Sequence, residues 1–316
     1  MKMLVVAALA AAVSVAALPP GAVQDPKPGQ RPGAQEPGPK VPTPPPPPAE
    51  QLLAEMQAQF AKEGLELDAK AGTLSIKAFV NEARDPIEYL LVHRRGKRHE
   101  AVFWTSAKAS LLNGALLLLG LEQGKNATYK EVEPLPTLEE VQAGAETVIV
   151  TPPQGKPFWI TAHWTDAEGE TKACCVEDLL LDLGAGKAVA STAWIYLGGR
   201  MAQIYRNEPE VYIADFEGNL FSVCYLSPDN HLATMVHERS RDDQNWLVTE
   251  LLPPVDTEVK LVVHKQKPKL AIEREARLAK ANADAAAKGE GKAPGAGDPP
   301  PGGSGNSGGG AGRGGD

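Results

Sequence analysis

Between residues 65 and 226 short strand-like pieces rich in apolar side chains are separated by turn residues. Leu65–Asp68 and Leu74–Val80 read as strands around a turn at Ala69–Gly72. Ile87–His93 and Glu100–Thr105 flank Arg94-Arg95-Gly96-Lys97 and read as a hairpin. Further strands are predicted at Thr147–Thr151, Phe158–Thr165, Thr171–Val176, Val189–Leu197, Glu210–Phe216 and Leu220–Leu226. Asp166–Gly169 and Glu217–Asn219 supply turns. Two segments repeat at helical spacing instead. Ala49–Lys62 places Leu52, Leu53, Met56 and Phe60 together, and the stretch 105–120 is apolar nearly all round, with Thr105 or Ser106 as its cap and Gly120 as its stop. Helices do not alternate regularly with strands. The expected fold is therefore α+β: a mainly antiparallel sheet, one buried helix (105–120), a short N-terminal helix and disordered ends.

The ends break the pattern. Met1-Lys2-Met3 precedes an apolar run from Leu4 to Val13, then small residues and Pro19-Pro20. This predicts a signal peptide over 1–22, cleaved after Ala16, Ala17 or Ala22, and hence a periplasmic or extracellular location. The run is shorter than the roughly 20 residues of a membrane span. No Cys follows it to carry a lipid, and no later stretch is long enough to leave a stable span after signal removal. Residues 23–49 form a Pro-rich linker that cannot helix or pair, 50–265 the folded domain, 266–288 a charged helix outside the core, and 289–316 a Gly/Pro-rich tail with nothing to bury.

Charge narrows the partners. Residues 51–264 carry 19 Lys/Arg against 31 Asp/Glu, about −12. Such a body repels phosphate backbones, so nucleic acid is excluded as a partner. An envelope protein or polymer is the expected partner; no cofactor and no oligomeric state is implied. Three cysteines are too few for a disulfide scaffold, so an apolar core must hold the fold.

His99-Glu100, Thr105-Ser-Ala-Lys108, Ala115-Leu-Leu-Leu-Leu-Gly120 and Gly124 together resemble the YdjY-domain family. Phe158-Trp-Ile-Thr-Ala-His-Trp164, Val176-Glu-Asp178, Trp194-Ile-Tyr-Leu-Gly-Gly199 and Tyr212-Ile-Ala-Asp215 before Gly218 extend the match over about residues 65–265. The resemblance implies a bacterial exported domain, often flanked by low-complexity segments, whose biochemical role is unassigned. At Gly199 such sequences more usually place Ser.

Candidate chemistry is sparse. His99, Glu100, Glu177, Asp178, Trp194 and Asp215 are the binding candidates. No catalytic set and no metal set is assembled from them, and position 103 is Phe where a zinc-binding helix would need His. His99 otherwise belongs to a solvated basic turn with Arg94, Arg95, Lys97 and Arg98, which could also hold an anion. The pairs Glu177/Asp178 and Asp215/Glu217 would serve acid–base work only if they converged. Cys174, Cys175 and Cys224 are redox or disulfide candidates: buried thiols or one bridge to Cys224 on one reading, a redox or metal centre on the other. The five tryptophans either fill the sheet's core face or form a sugar-stacking surface. Gly184-Ala-Gly186-Lys187 is a turn, and Gly305-Asn-Ser307-Gly-Gly309 a chance match to a nucleophile elbow with no strand before it. Asn126-Ala-Thr128 matches a glycosylation sequon, which acts only in a eukaryotic secretory route. The reading favoured is an exported, non-catalytic binding module; the alternative is a thiol- or metal-dependent envelope enzyme using the three cysteines.

Overall fold

A computed structural model describes residues 49–82, 86–190 and 192–287. The expected signal peptide, the Pro-rich linker except Ala49, and the tail at 289–316 lie outside these residues. In chain order the first strands are β1 Leu65–Asp68, β2 Thr73–Val80, β3 Tyr89–His93, β4 Ala101–Thr105, β5 Thr128–Glu131, β6 Val148–Thr151, β7 Pro157–Thr165, β8 Thr171–Cys175 and β9 Leu180–Asp182. They are followed by β10 Lys187–Ala188, β11 Ala193–Tyr196, β12 Met201–Ala202, β13 Val211–Tyr212, β14 Asn219–Ser222, β15 Ala233–Val236, β16 Trp246–Val248 and β17 Glu258–His264. The helices are α1 Ala49–Lys62, α2 Ala109–Leu119, α3 Leu138–Gln142, α4 Ile213–Glu217 and α5 Lys269–Ala287.

Eight strands close on themselves in the order β2-β17-β7-β11-β15-β14-β3-β4, and the last returns to the first through Phe79↔Trp104 and Val80↔Phe103. This corrects the expected α+β sheet with one buried helix: the domain is mainly a closed β-barrel, with β1 and β8 added beside β2 and β7. Closure depends on pairings between strands remote in sequence, such as β2 with β17, and a two-residue period carries no trace of them. Barrel closure also removes exposed sheet edges.

The predicted hairpin at Arg94–Lys97 is a second correction. β3 and β4 run parallel, from Tyr89↔Ala101 to His93↔Thr105, so residues 94–100 must travel back along the strand. Arg98–Glu100 forms a single 3₁₀ turn there, which takes His99 and Glu100 off the strand expected for them. The return path is narrow. A Cβ on Gly96 would stand 2.5 Å from the carbonyl oxygen of Gly218, so only glycine fits. The predicted strand Glu210–Phe216 is likewise replaced by the two-residue β13 and the short helix α4.

Alternate residues of the barrel strands build one core: Leu74, Ile76 and Ala78 of β2, Val259, Leu261 and Val263 of β17, Phe158, Ile160 and Ala162 of β7, and Trp194 and Tyr196 of β11. Leu112, Ala115, Leu116 and Leu119 of α2 join the same cluster. Two hydrogen bonds from one face of β11 show how it is filled. Tyr196 Oη reaches Asn113 Oδ1 of α2, while Trp194, two residues back, reaches the turn at Val176–Leu179. α2 starts at Ala109 rather than Thr105. Thr105 Oγ1 instead donates to Lys77 O, and Gly120 ends the helix with φ 84°, as expected.

By its internal contacts the chain forms a unit ending at Arg274, inside α5, and a second unit from Glu275 that continues this helix. No helix among the described residues is long and apolar enough to cross a membrane.

Candidate functional site

Trp194 and Glu177 meet. The indole Nε1 donates to Glu177 Oε1 at 3.1 Å, and both side chains are buried. Burial pushes the Glu177 carboxyl above the usual range, against the opposing pull of the Trp194 hydrogen bond and Arg274. Asp178, its neighbour, turns away to Arg274, whose Nε donates to Asp178 Oδ1 at 2.7 Å. The same guanidinium donates to the carbonyls of Val189 and Ala190 and is itself almost fully buried. The helix expected to lie outside the core therefore begins with a clamp into the body.

Asp215 sits elsewhere. Its Oδ1 accepts the backbone N–H of Ser110 at 3.0 Å, a cap supplied to α2 from α4 where the helix's own N-cap, Lys108, provides none. Asp215, His93, Arg95 and Lys108 line a cavity of about 210 Å³. His93 is not a ready base, because its Nδ1 accepts the Arg95 N–H and burial, with Arg95 and Arg94, lowers its pKa. His99 and Glu100 form a third location. His99 is largely exposed, 3.3 Å from Glu100, while Lys97 bridges Glu100 and Glu88 at 3.0 Å each. Burial acts to raise both carboxyls. Lys97, with Glu88 and His99, outweighs it at Glu100, which falls below its ordinary value, whereas Glu88 stays above. Arg98 lies over the Trp104 ring, itself stacked on Phe79 at 4.6 Å. The six binding candidates thus fall into three separate places, each occupied by contacts within the fold.

None of the three cysteines is in a disulfide. Cys174 and Cys175 alternate across β8, the first half-buried and the second buried. Burial, then Asp178, pushes the Cys174 thiol up to about 12, and burial drives Cys224 far above its ordinary value. Such thiols hold almost no thiolate at neutral pH. Among the described residues no group of three or more His, Cys, Asp and Glu side chains could hold a metal ion. Asn126 of the sequon donates to Leu226 O and to Asp229 Oδ1, so its amide ties two loops together.

Two features escaped the sequence. On β7 and β17, Thr161 Oγ1 lies 2.8 Å from His163 Nε2 and 2.9 Å from His264 Nε2. Burial, then His163, lowers His264 to about 4; burial and Lys260 lower His163. The second feature is an open cleft of about 710 Å³ between the excursion β5-α3-β6 and residues 240–243. Tyr129 and Val148 line one wall, Arg241 and Asp242 the other, with Cys224 and Ser240 deep between them. Tyr129 Oη donates to Tyr225 O at 2.6 Å, and Arg241 crosses to Glu146 through two hydrogen bonds of 2.9 and 2.6 Å. The Ser240 hydroxyl is buried without a hydrogen-bond partner among the described residues. Leu135, Leu138, Val141 and Ile149 of the same excursion are exposed. The two walls are about 95 residues apart in sequence, so no local spacing could have joined them.

No curated protein and no solved structure matches the chain. The family model of the YdjY domain matches residues 65–264, from the first residue of β1 to the last of β17, and includes every strand of the barrel. The chain belongs to the YdjY domain family.

Proposed function

We propose that this protein is an exported, non-catalytic binding module, and that the cleft beside β5-α3-β6 receives an extended segment of an envelope protein. The carrying observation is the cleft itself: open, part apolar and part polar, with an unanswered hydroxyl, Ser240, in its depth and exposed leucines on its flank. Charge supports one kind of occupant. Glu146, Asp242 and Asp243 border the cleft, Arg241 is already engaged by Glu146, and the body around it is acidic. A segment carrying Lys or Arg among apolar side chains complements this lining. Export is supported by the apolar run Leu4 to Val13 between Lys2 and Pro19. The non-catalytic reading is supported by the contacts that already occupy Glu177, Asp178, Glu100 and Asp215.

Fluorescence anisotropy with the full chain and labelled ten-residue peptides tests this. Peptides mixing Lys and Leu should bind saturably, acidic counterparts should not, and Tyr129→Ala should weaken binding about tenfold, roughly 1.4 kcal/mol. Equal binding of acidic peptides or of an anionic polysaccharide, or indifference to Tyr129→Ala, would overturn the assignment.

A further inference from the structure

We propose that His163 and His264 form a binding site for a divalent transition-metal ion on the outer face of the barrel, with the Thr161 hydroxyl as a third, weak ligand and water completing the shell. This is independent of the cleft. On β7, Phe158, Ile160 and Ala162 enter the core, so Trp159, Thr161 and His163 point the other way. β17 divides in the same manner, with Val259, Leu261 and Val263 inward and Val262 and His264 outward. The register sets Thr161 opposite Val262, His163 opposite Lys260 and His264 opposite Trp159. His163 therefore approaches the hydroxyl along β7 itself, two residues on, and His264 diagonally from β17.

The geometry is that of converging donors. Both Nε2 atoms lie within 2.9 Å of one oxygen, on strands held by a five-pair ladder in the closed barrel. Both histidines are half-buried and so retain access to solvent, while Thr161 is buried at the base. Without an ion, hydrogen bonding holds the two rings in different tautomers. A hydroxyl has one hydrogen, so it can donate to only one Nε2, and the other ring must take the opposite tautomer to donate back. An ion accepts both nitrogen lone pairs at once. Neutral imidazole is the ligand preferred by Cu²⁺, Ni²⁺ and Zn²⁺ among divalent ions, whereas Ca²⁺ and Mg²⁺ require oxygen-rich sites. Two imidazoles and a hydroxyl fall short of three strong ligands. The site should accordingly be exchangeable, filled in the order Cu²⁺ over Ni²⁺ and Zn²⁺.

The test uses the tag-free full chain, stripped with chelator and titrated with Cu²⁺ by calorimetry, with circular dichroism on every variant. One ion per chain is expected, lost in the double variant His163→Gln/His264→Gln, weakened about tenfold by Thr161→Val and unchanged by His99→Gln. Paramagnetic resonance of the Cu²⁺-loaded unaltered chain should show hyperfine structure from two imidazole nitrogens, a readout that does not depend on any variant folding. Absence of stoichiometric binding, binding undiminished in the double variant, or a spectrum with fewer than two nitrogens would overturn the site.

Discussion

Trp194 donates its indole N–H to Glu177, and both side chains are buried in the fold. The consequence is a pH dependence with a definite sign. Burial raises the folded pKa of Glu177 above its ordinary 4.5. The unfolded chain therefore releases this proton more readily, so the contribution to stability is whole below pH 4.5 and is lost as pH rises through the raised value. Glu177→Gln keeps the shape and an acceptor while abolishing the titration. Thermal unfolding across pH should show the slope in the native protein and its absence in Glu177→Gln, with the variant at least as stable at neutral pH. A parallel slope in both proteins would contradict the assignment. Trp194→Phe leaves the carboxyl without its donor and should cost about 1–3 kcal/mol.

Histidine 231 contributes a slope of the opposite sign. It is fully buried, neither ring nitrogen has a partner among the described residues, and burial lowers its pKa to about 4. Between the ordinary 6.5 and about 4 the unfolded chain binds the proton and the folded chain refuses it. Stability therefore falls as pH drops through that window, by about 3 kcal/mol in full. His231→Leu should flatten the fall. Urea midpoints for the two proteins at pH 7 and pH 4.5 measure it; an equal loss in both would exclude His231 as the source.

Arg274 lies ten residues beyond the end of the family match, yet it is part of the body. Removing its guanidinium would take an ion pair from Asp178 and a hydrogen bond from each of the carbonyls of Val189 and Ala190. Arg274→Ala should cost about 3–5 kcal/mol, the range for breaking a buried ion pair from one side. A chain ended after Lys267 should be destabilised similarly relative to one ended after Ala287. Denaturant unfolding of the three proteins decides this, and equal midpoints would mean the clamp contributes nothing.

What could be read from the residues follows the range of each interaction. β1 and β2 are legible from their alternation, β4 and β7 from short runs of apolar and β-branched residues, and α2 from contiguous leucines with a glycine stop at 120. β17 is absent from the strands expected above although Val259, Leu261 and Val263 alternate, and it is central, pairing with both β2 and β7. The hairpin at Arg94–Lys97 was misread because a basic Gly-containing turn looks the same whether the chain reverses into an antiparallel neighbour or doubles back beside a parallel one. Of the binding candidates, Glu177 and Trp194 were both named, but nothing in their spacing of 17 residues indicates a contact. Asp215 was visible as an acid near a turn, while its role depends on Ser110, 105 residues away.

That role gives a direct prediction. Asp215 replaces a cap that Lys108 cannot supply, so Asp215→Ala should destabilise the fold by about 1 kcal/mol and Asp215→Asn, which retains an acceptor, by less. The ranking is measurable in urea. Equal losses for the two variants would assign the effect to charge rather than to the hydrogen bond.

The thiols provide the test that separates a binding module from a thiol enzyme. A catalytic cysteine needs a lowered pKa and access, and both conditions fail at Cys224, which is buried with its thiol driven far above the ordinary value. Cys174 is more open but is held at about 12 by burial and by Asp178. At pH 8 the native chain should react with an aromatic disulfide reagent far more slowly than free cysteine, and all three thiols should titrate once the chain is unfolded in guanidinium. Removing the Asp178 charge should accelerate Cys174 modestly, because burial is the larger cause. A native thiol reacting as fast as free cysteine would favour the thiol-enzyme reading, and the pH dependence of that rate would give the pKa of the reacting group.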